Sequence, residues 1–425
     1  MVFMHSLVRQ CRSGLPPELL DLAVSEGISP DRMAGAIADG RIVVPANPRR
    51  TIRYSAIGEG CRVKVNVNIG TSAVRCDPEF EMIKARAALM EGADALMDLS
   101  TAGDLQAIRR EILSLPAPVG TVPIYEAVRR AGTAQDLTAD ILFSVIRDQC
   151  RQGVDFMTLH CGVNHDALHA LRTDPRMLGV VSRGGVFHVA WMVESGEENP
   201  LYAEYDYLLE ILAEEDVTLS LGDGMRPGAL VDSGRLAKAT EYLTLGRLAK
   251  QARLAGVQRM IEGPGHIPIH EVAWNVKVIK EVTDSAPLYL LGPLVTDIAA
   301  GYDHVVGAIG GAIAASAGAD FLCMVSPAEH LALPDEDDII EGTRVARIAA
   351  HAGDIARRGG VDAFPVEMAM ARARRDLDWD AQYQAALFPE YARSIHDRDG
   401  ETETCSMCGD ICAVKLVSDL LPKKE

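Results

Sequence analysis

Nowhere does this 425-residue chain carry an apolar stretch long enough to cross a membrane, and it lacks a leader with a basic start, long apolar core and small-residue cleavage site. These absences lead to the expectation of a soluble, cytoplasmic protein. Positive charge is also scarce: 42 Lys and Arg against 60 Asp and Glu leave a net charge of −18. Without a basic surplus to displace counterions, a nucleic-acid duplex is excluded as a partner. A small phosphorylated ligand held by a few local arginines is not. Paired cysteines of the secreted kind are missing as well. Cys11, Cys61, Cys76, Cys150, Cys161 and Cys323 are scattered singly, as reduced core thiols usually are, with Cys161 set apart only by following His160.

What the chain does have is a cysteine run near its C-terminus, Cys405-Ser-Met-Cys408-Gly-Asp-Ile-Cys412. Thiolates at this spacing, with Gly409 freeing the backbone to turn, can face one centre. No further cysteine and no histidine follows this run, whereas a closed structural zinc site needs four ligands. Three thiolates on an iron–sulfur cube leave one iron open for an outside ligand, which in radical chemistry is S-adenosylmethionine. Spacing alone leaves cluster and zinc equally open, the zinc reading requiring a remote histidine.

Short apolar runs alternate with helical segments such as 78–91 and 235–255. The runs are 61–70, 95–101, 119–125, 156–162, 179–185, 217–224, 258–266, 288–294 and 321–326. Repeated strand–helix units predict a parallel sheet, and their number favours an α/β (β/α)8 barrel, with one of the nine runs outside it. The expected division is a small N-terminal region over 1–60, a barrel over 61–350 and a helical C-terminal region over 351–425 carrying the cysteines. The runs are apolar at their starts and polar at their ends: Asn66 and Asn68, Asp98 and Ser100, Tyr125, His160, Ser182 and Arg183, Asp223 and Arg226, Glu262 and His266. A single strand-end Asn or Asp is ordinarily a helix cap or turn residue. Caps do not explain Arg, His, Tyr and Glu at successive ends, whereas convergence on the mouth of a barrel does. The turns Ser182-Arg183-Gly184-Gly185 and Asp223-Gly224-Met225-Arg226 join glycine-freed amides to a guanidinium, which suits a phosphate. His266 and the histidine of Glu329-His330 suit a divalent metal, with His270 and His304 as rivals.

The strings VKVNVNIGTSAV, GADALMDLST, GTVPIY, VSRGG, LSLGDGMRPG, MIEGPGH, LGPLVTDIA, GYDH, EHLALP, IAAH and CSMCG occur in order over roughly residues 40–412. In these the chain resembles the thiamin pyrimidine synthase (phosphomethylpyrimidine synthase) family. The resemblance implies a radical S-adenosylmethionine enzyme on a (β/α)8 barrel, acting on aminoimidazole ribonucleotide. It implies a homodimer in which one subunit's cluster arm reaches the other's active site, and an external electron donor. Cys405, Cys408 and Cys412 would hold a [4Fe–4S] cluster, and His266 and His330 a divalent metal, zinc or iron. Asn68, Met97, Tyr125, His160, Ser182, Arg183, Gly184, Asp223, Gly224, Met225, Arg226, Glu262 and Tyr289 would contact substrate. Glu262, His160 and Tyr125 would be the groups for proton transfer.

The chain departs from the family pattern at several points. Met225 stands where leucine is usual, and three residues rather than four separate Cys408 from Cys412. C-Y-V-T-P reads Cys323-Met324-Val325-Ser326-Pro327. Ala300, Ala332 and the run Pro48-Arg49-Arg50 replace other family residues. These changes lead to the expectation that the same substrate is sent to another product, 5-hydroxybenzimidazole, for anaerobic cobamide synthesis. Met324 would then steer the substrate radical. The alternatives are hydroxymethylpyrimidine phosphate for thiamin synthesis and, from another class, a zinc-dependent barrel hydrolase with Glu262 as base.

Overall fold

A computed structural model describes residues 6–400 and 403–420 of the chain, so the outermost residues of the expected terminal regions and residues 401–402 lie outside the described part. Eight parallel strands close into a barrel: β1 (Lys64–Ile69), β2 (Ala95–Asp98), β3 (Val119–Thr121), β4 (Phe156–Leu159), β5 (Thr218–Leu221), β6 (Arg259–Glu262), β7 (Leu288–Leu291) and β8 (Phe321–Cys323). Each strand pairs with its sequence neighbour, and β8 closes on β1 in the register Phe321 to Lys64. Helices connect the strands, which makes this a (β/α)8 fold. Many begin on a side-chain cap: Asp77, Asp104, Thr138 and Asn164 each accept a hydrogen bond from an amide of the first helical turn.

The ninth run, 179–185, is not a strand. Its last residues open the helix Arg183–Ser195, where Ser182 Oγ accepts from Gly185 N at 3.2 Å. The cap and its glycines override the apolar start of the run. The helix predicted over 78–91 spans Pro78–Met90, and that over 235–255 spans Leu236–Ala255.

Inside the barrel, Phe321 stacks near Tyr289 at 4.5 Å between ring centroids and lies edge-on to Phe156 at 6.4 Å. Gly120 makes room for the latter, since a Cβ there would lie 2.2 Å from the Phe156 ring. The N-terminal ends of the strands are closed by polar groups. Asp94, Asp155 and Asp320, each just before a strand, accept hydrogen bonds from Val65 N, Val119 N and Leu288 N of the neighbouring strand. Segments before residue 60 complete this end. Asn47 N donates to Asp155 at 2.8 Å, Val44 N donates to Gln258 Oε1 at 2.8 Å, and Arg259 donates to Gly40 O. Lys64 is fully buried and pairs with Glu26 at 2.9 Å. An antiparallel ladder of Ile42–Val43 with Ile57–Gly58 and a small apolar core around Met33 and Ile37 organise this segment.

By its internal contacts the chain forms one compact unit up to Asp354 and a second from Ile355 onward. The second unit holds the helices Pro365–Arg375, Trp379–Ala385 and Pro389–His396. Within it, the His396 ring stacks on Trp379 at 3.9 Å and its Nδ1 meets Tyr383 OH at 2.7 Å. Among the described residues no helix is long and apolar enough to cross a membrane.

Candidate active site

Every one of the eight strands, or the loop that follows it, sends a side chain into one cavity at the C-terminal mouth of the barrel. Nine of the residues expected to contact substrate line it: Asn68, Met97, Tyr125, His160, Ser182, Asp223, Arg226, Glu262 and Tyr289. Arg183, Gly184, Gly224 and Met225 are not among its lining residues. A Cβ on Gly184 would lie 2.2 Å from His160 Cε1, and one on Gly185 would lie 2.6 Å from Gly224 O. The glycines therefore bring the N-terminus of the helix Arg183–Ser195 against the strand ends. A helix N-terminus is itself a seat for a phosphate.

Glu262 is held by two hydroxyls from inside the barrel. Thr158 Oγ1 donates to its Oε1 at 2.7 Å and Ser220 Oγ donates to the same oxygen at 3.2 Å. Neither hydroxyl was singled out in the sequence, where both read as ordinary strand residues. Arg226 pairs with Asp223 at 3.0 Å. Burial works against the Arg226 charge, but Asp223 and Glu262 outweigh it and hold the guanidinium above its ordinary range. Burial pushes the Asp223 carboxyl well up, with Arg226 opposing. Across the cavity, burial raises the Tyr125 phenol while Arg183 lies 5.1 Å over its ring.

His160 is kept neutral. Burial, then His188 and Arg226, push its imidazole well below the ordinary value, and its Nε2 meets Ser182 Oγ at 3.1 Å. Behind it His188 is fully buried, with neither ring nitrogen bonded among the described residues. Asn199 donates to His160 O at 3.0 Å and to Val163 O at 2.7 Å, fixing the loop after β4. Cys161 is fully buried, and burial raises its thiol, so it reads as a core residue. On the β8 side, Asn68 Nδ2 contacts Cys323 Sγ at 3.1 Å, and Asn66 Nδ2 donates to Tyr289 OH at 2.8 Å. Burial pushes the Cys323 thiol up to about 12.

A second cavity shares Asn68 and Leu99 with the first and is lined by Arg183, Met324, Glu329 and His330 among others. His330 and His266 come together, their ring centroids 5.1 Å apart. His266 Nδ1 meets Asp297 at 2.8 Å and His330 Nδ1 meets Asp303 at 3.0 Å. This carboxylate–imidazole arrangement leaves each Nε2 free and is the usual support of a metal-binding histidine. His330 adopts a positive φ of 62°, an uncommon conformation for a non-glycine residue. The rivals are placed differently: His270 is exposed on its helix, and His304 stacks on Tyr302 at 6.1 Å. Met324 N donates to Asn66 O at 2.8 Å, extending β8, while its Sδ packs against Gly342. Met324 is not part of the first cavity's lining.

The cysteine run belongs to the second unit. Cys408 N and Gly409 N both donate to Cys405 O, at 3.2 and 3.1 Å, and Gly409 has a φ of +50°, so the chain turns tightly. The Cys405 sulfur, as charge and as hydrogen-bond partner, raises the Cys408 thiol. Among the described residues no three His, Cys, Asp or Glu side chains are gathered closely enough to hold a metal ion.

Residues 6–419 match the family model described as the radical SAM ThiC family. The chain is 49% identical over 424 residues to phosphomethylpyrimidine synthase 2 of Methanosarcina barkeri, covering 99% of each protein. It is 49% identical over 429 residues to phosphomethylpyrimidine synthase of Methanopyrus kandleri, covering 99% of this chain and 100% of that one. It is 50% identical over 414 residues to phosphomethylpyrimidine synthase of Thermus thermophilus, covering 96% and 95%. These full-length relatives overturn the expectation of a 5-hydroxybenzimidazole synthase serving cobamide synthesis, and with it the barrel hydrolase. Met324 lines the second cavity, where its sulfur packs against Gly342.

Proposed function

The chain belongs to the radical SAM ThiC family, and from this we propose that it is a phosphomethylpyrimidine synthase, turning aminoimidazole ribonucleotide into hydroxymethylpyrimidine phosphate for thiamin synthesis. The observation that carries the reading is the first cavity, where side chains from all eight strand ends meet beside a glycine-rich helix N-terminus. Membership of the family brings a [4Fe–4S] cluster and S-adenosylmethionine. Cys405, Cys408 and Cys412 are the residues we assign to the cluster, on their spacing and the tight turn at Gly409. With a one-electron donor, a cluster held there and bound S-adenosylmethionine would supply the radical chemistry.

The remaining roles are those of the protein itself. The amides of Arg183 and Gly184 and the Arg183 side chain would seat the phosphate, and the Asp223–Arg226 pair would hold the ribose end in a fixed orientation. Glu262, aligned by Thr158 and Ser220, would take or return protons during ring rearrangement, with neutral His160 and the high-pKa Tyr125 as partners. His266 and His330 would bind a divalent metal, zinc or iron, as a Lewis acid. An external one-electron donor and a homodimer whose partner supplies the cysteine arm complete the proposal. The test is anaerobic release of 5′-deoxyadenosine by reconstituted protein. It is expected only when the ribonucleotide is present and to vanish in Cys408→Ala. Release that ignores the ribonucleotide would overturn the reading.

A further inference from the structure

Glu241 lies in the helix Leu236–Ala255, outside the cavity lining, and is fully buried. A charged residue inside a packed barrel needs a reason. Its Oε2 accepts a hydrogen bond from Met225 N at 2.8 Å, and the backbone of Gly224 adds a second favourable contact with the carboxylate. The surroundings are cut to fit it: a Cβ on Gly162 would lie 2.9 Å from Glu241 Cγ, and one on Gly224 would lie 3.3 Å from Glu241 Oε1. The other end of the same turn is tied down separately, Arg176 Nη1 donating to Arg226 O at 3.4 Å. Between these two anchors the turn projects Asp223 and Arg226 into the first cavity, paired at 3.0 Å.

We propose that Glu241 is a positioning residue for ribonucleotide binding: by accepting from the 223–226 turn it holds Asp223 and Arg226 at the spacing the ligand needs. The inference rests on the reading of the first cavity as the ribonucleotide site. Glu241 itself touches neither the cavity nor the reacting atoms. Without its acceptor, Met225 N is a buried orphan donor, and the turn must shift to satisfy it. Burial raises the Glu241 carboxyl to about 8, in keeping with a group placed for its acceptor oxygen and not for its charge. An amide oxygen in the same place keeps the bond from Met225 N.

The test is calorimetric titration of the holoenzyme with aminoimidazole ribonucleotide, without S-adenosylmethionine, comparing wild type with Glu241→Ala, Glu241→Asp and Glu241→Gln. Stoichiometry reports how much protein is folded, while Kd reports the site. Glu241→Ala is expected to weaken Kd about 10-fold, the usual effect of leaving a buried donor unpaired. Glu241→Gln keeps the acceptor for Met225 N but buries an NH2 without a partner, and is expected to bind more tightly than Glu241→Ala. Glu241→Asp, which withdraws the acceptor by one methylene, is expected to weaken binding and serves if the alanine variant does not fold. Wild-type Kd in the alanine and aspartate variants would overturn the assignment, as would glutamine weakening binding as much as alanine. Failure of the wild type to bind would overturn the ribonucleotide reading itself, and this inference with it.

Discussion

Thr158 and Glu262 sit on strands that are not neighbours, β4 and β6, yet the Thr158 hydroxyl donates to the Glu262 carboxylate at 2.7 Å across the barrel interior. The bond fixes one oxygen of the carboxylate proposed to move protons. Thr158→Val keeps the shape and removes the donor. A hydrogen bond to a charged group contributes about 1.5–3 kcal/mol to stability, so Tm is expected to fall by several degrees, and kcat about 10-fold as the carboxylate loses its alignment. Steady-state kinetics alongside calorimetry checks this. An unchanged kcat would show that Glu262 does not depend on the threonine.

Gly184 is expected to tolerate no side chain. Gly184→Ala places a methyl 2.2 Å from His160 Cε1, so the imidazole or the helix N-terminus must move. Displacing a site group by an ångström costs about 100-fold, and kcat/KM should fall at least that far while far-UV circular dichroism is unchanged. Wild-type kinetics in this variant would remove both His160 and the helix N-terminus from the site.

The barrel and most of the cavity were legible because strand ends carry their polarity in the local sequence, and eight of the nine apolar runs became strands. The run 179–185 misled because an apolar approach to a capped helix has the same composition as a buried strand. Only the Ser182 cap bond and the contact of Gly184 with His160 distinguish the two. Thr158, Ser220 and Glu241 were missed because each looks locally ordinary, two polar residues in strands and one acid in a helix. Their partners lie 104, 42 and 16 residues away. The product is misread from the few departures around Met324 because agreement along the whole chain with phosphomethylpyrimidine synthases outweighs them.

His188 predicts an acid sensitivity. Burial lowers its pKa from 6.5 to about 4, so the folded state favours the neutral ring. The stability this gives is complete above pH 6.5 and is lost as the pH falls toward 4. A depression of this size corresponds to about 3 kcal/mol. His188→Leu should therefore flatten the fall of Tm between pH 6.5 and 4 relative to wild type. Parallel melting curves across that window would contradict it.

At the opposite end of the barrel, Glu26 and Lys64 form a buried pair. Burial would raise the Glu26 carboxyl, but Lys64 and Arg62 outweigh it and hold the group below its ordinary range. Glu26→Gln leaves the Lys64 charge stranded and should cost about 3–5 kcal/mol in denaturant unfolding. The affinity of the distant cavity for ribonucleotide should not change. A loss under about 1 kcal/mol would mean that water reaches Lys64.

The most direct measurement is mass spectrometry of the product from an anaerobic single turnover of reconstituted protein with aminoimidazole ribonucleotide, S-adenosylmethionine and dithionite. The account predicts hydroxymethylpyrimidine phosphate together with 5′-deoxyadenosine. Formation of 5′-deoxyadenosine with any other ribonucleotide-derived product, or recovery of the ribonucleotide unchanged, would contradict it.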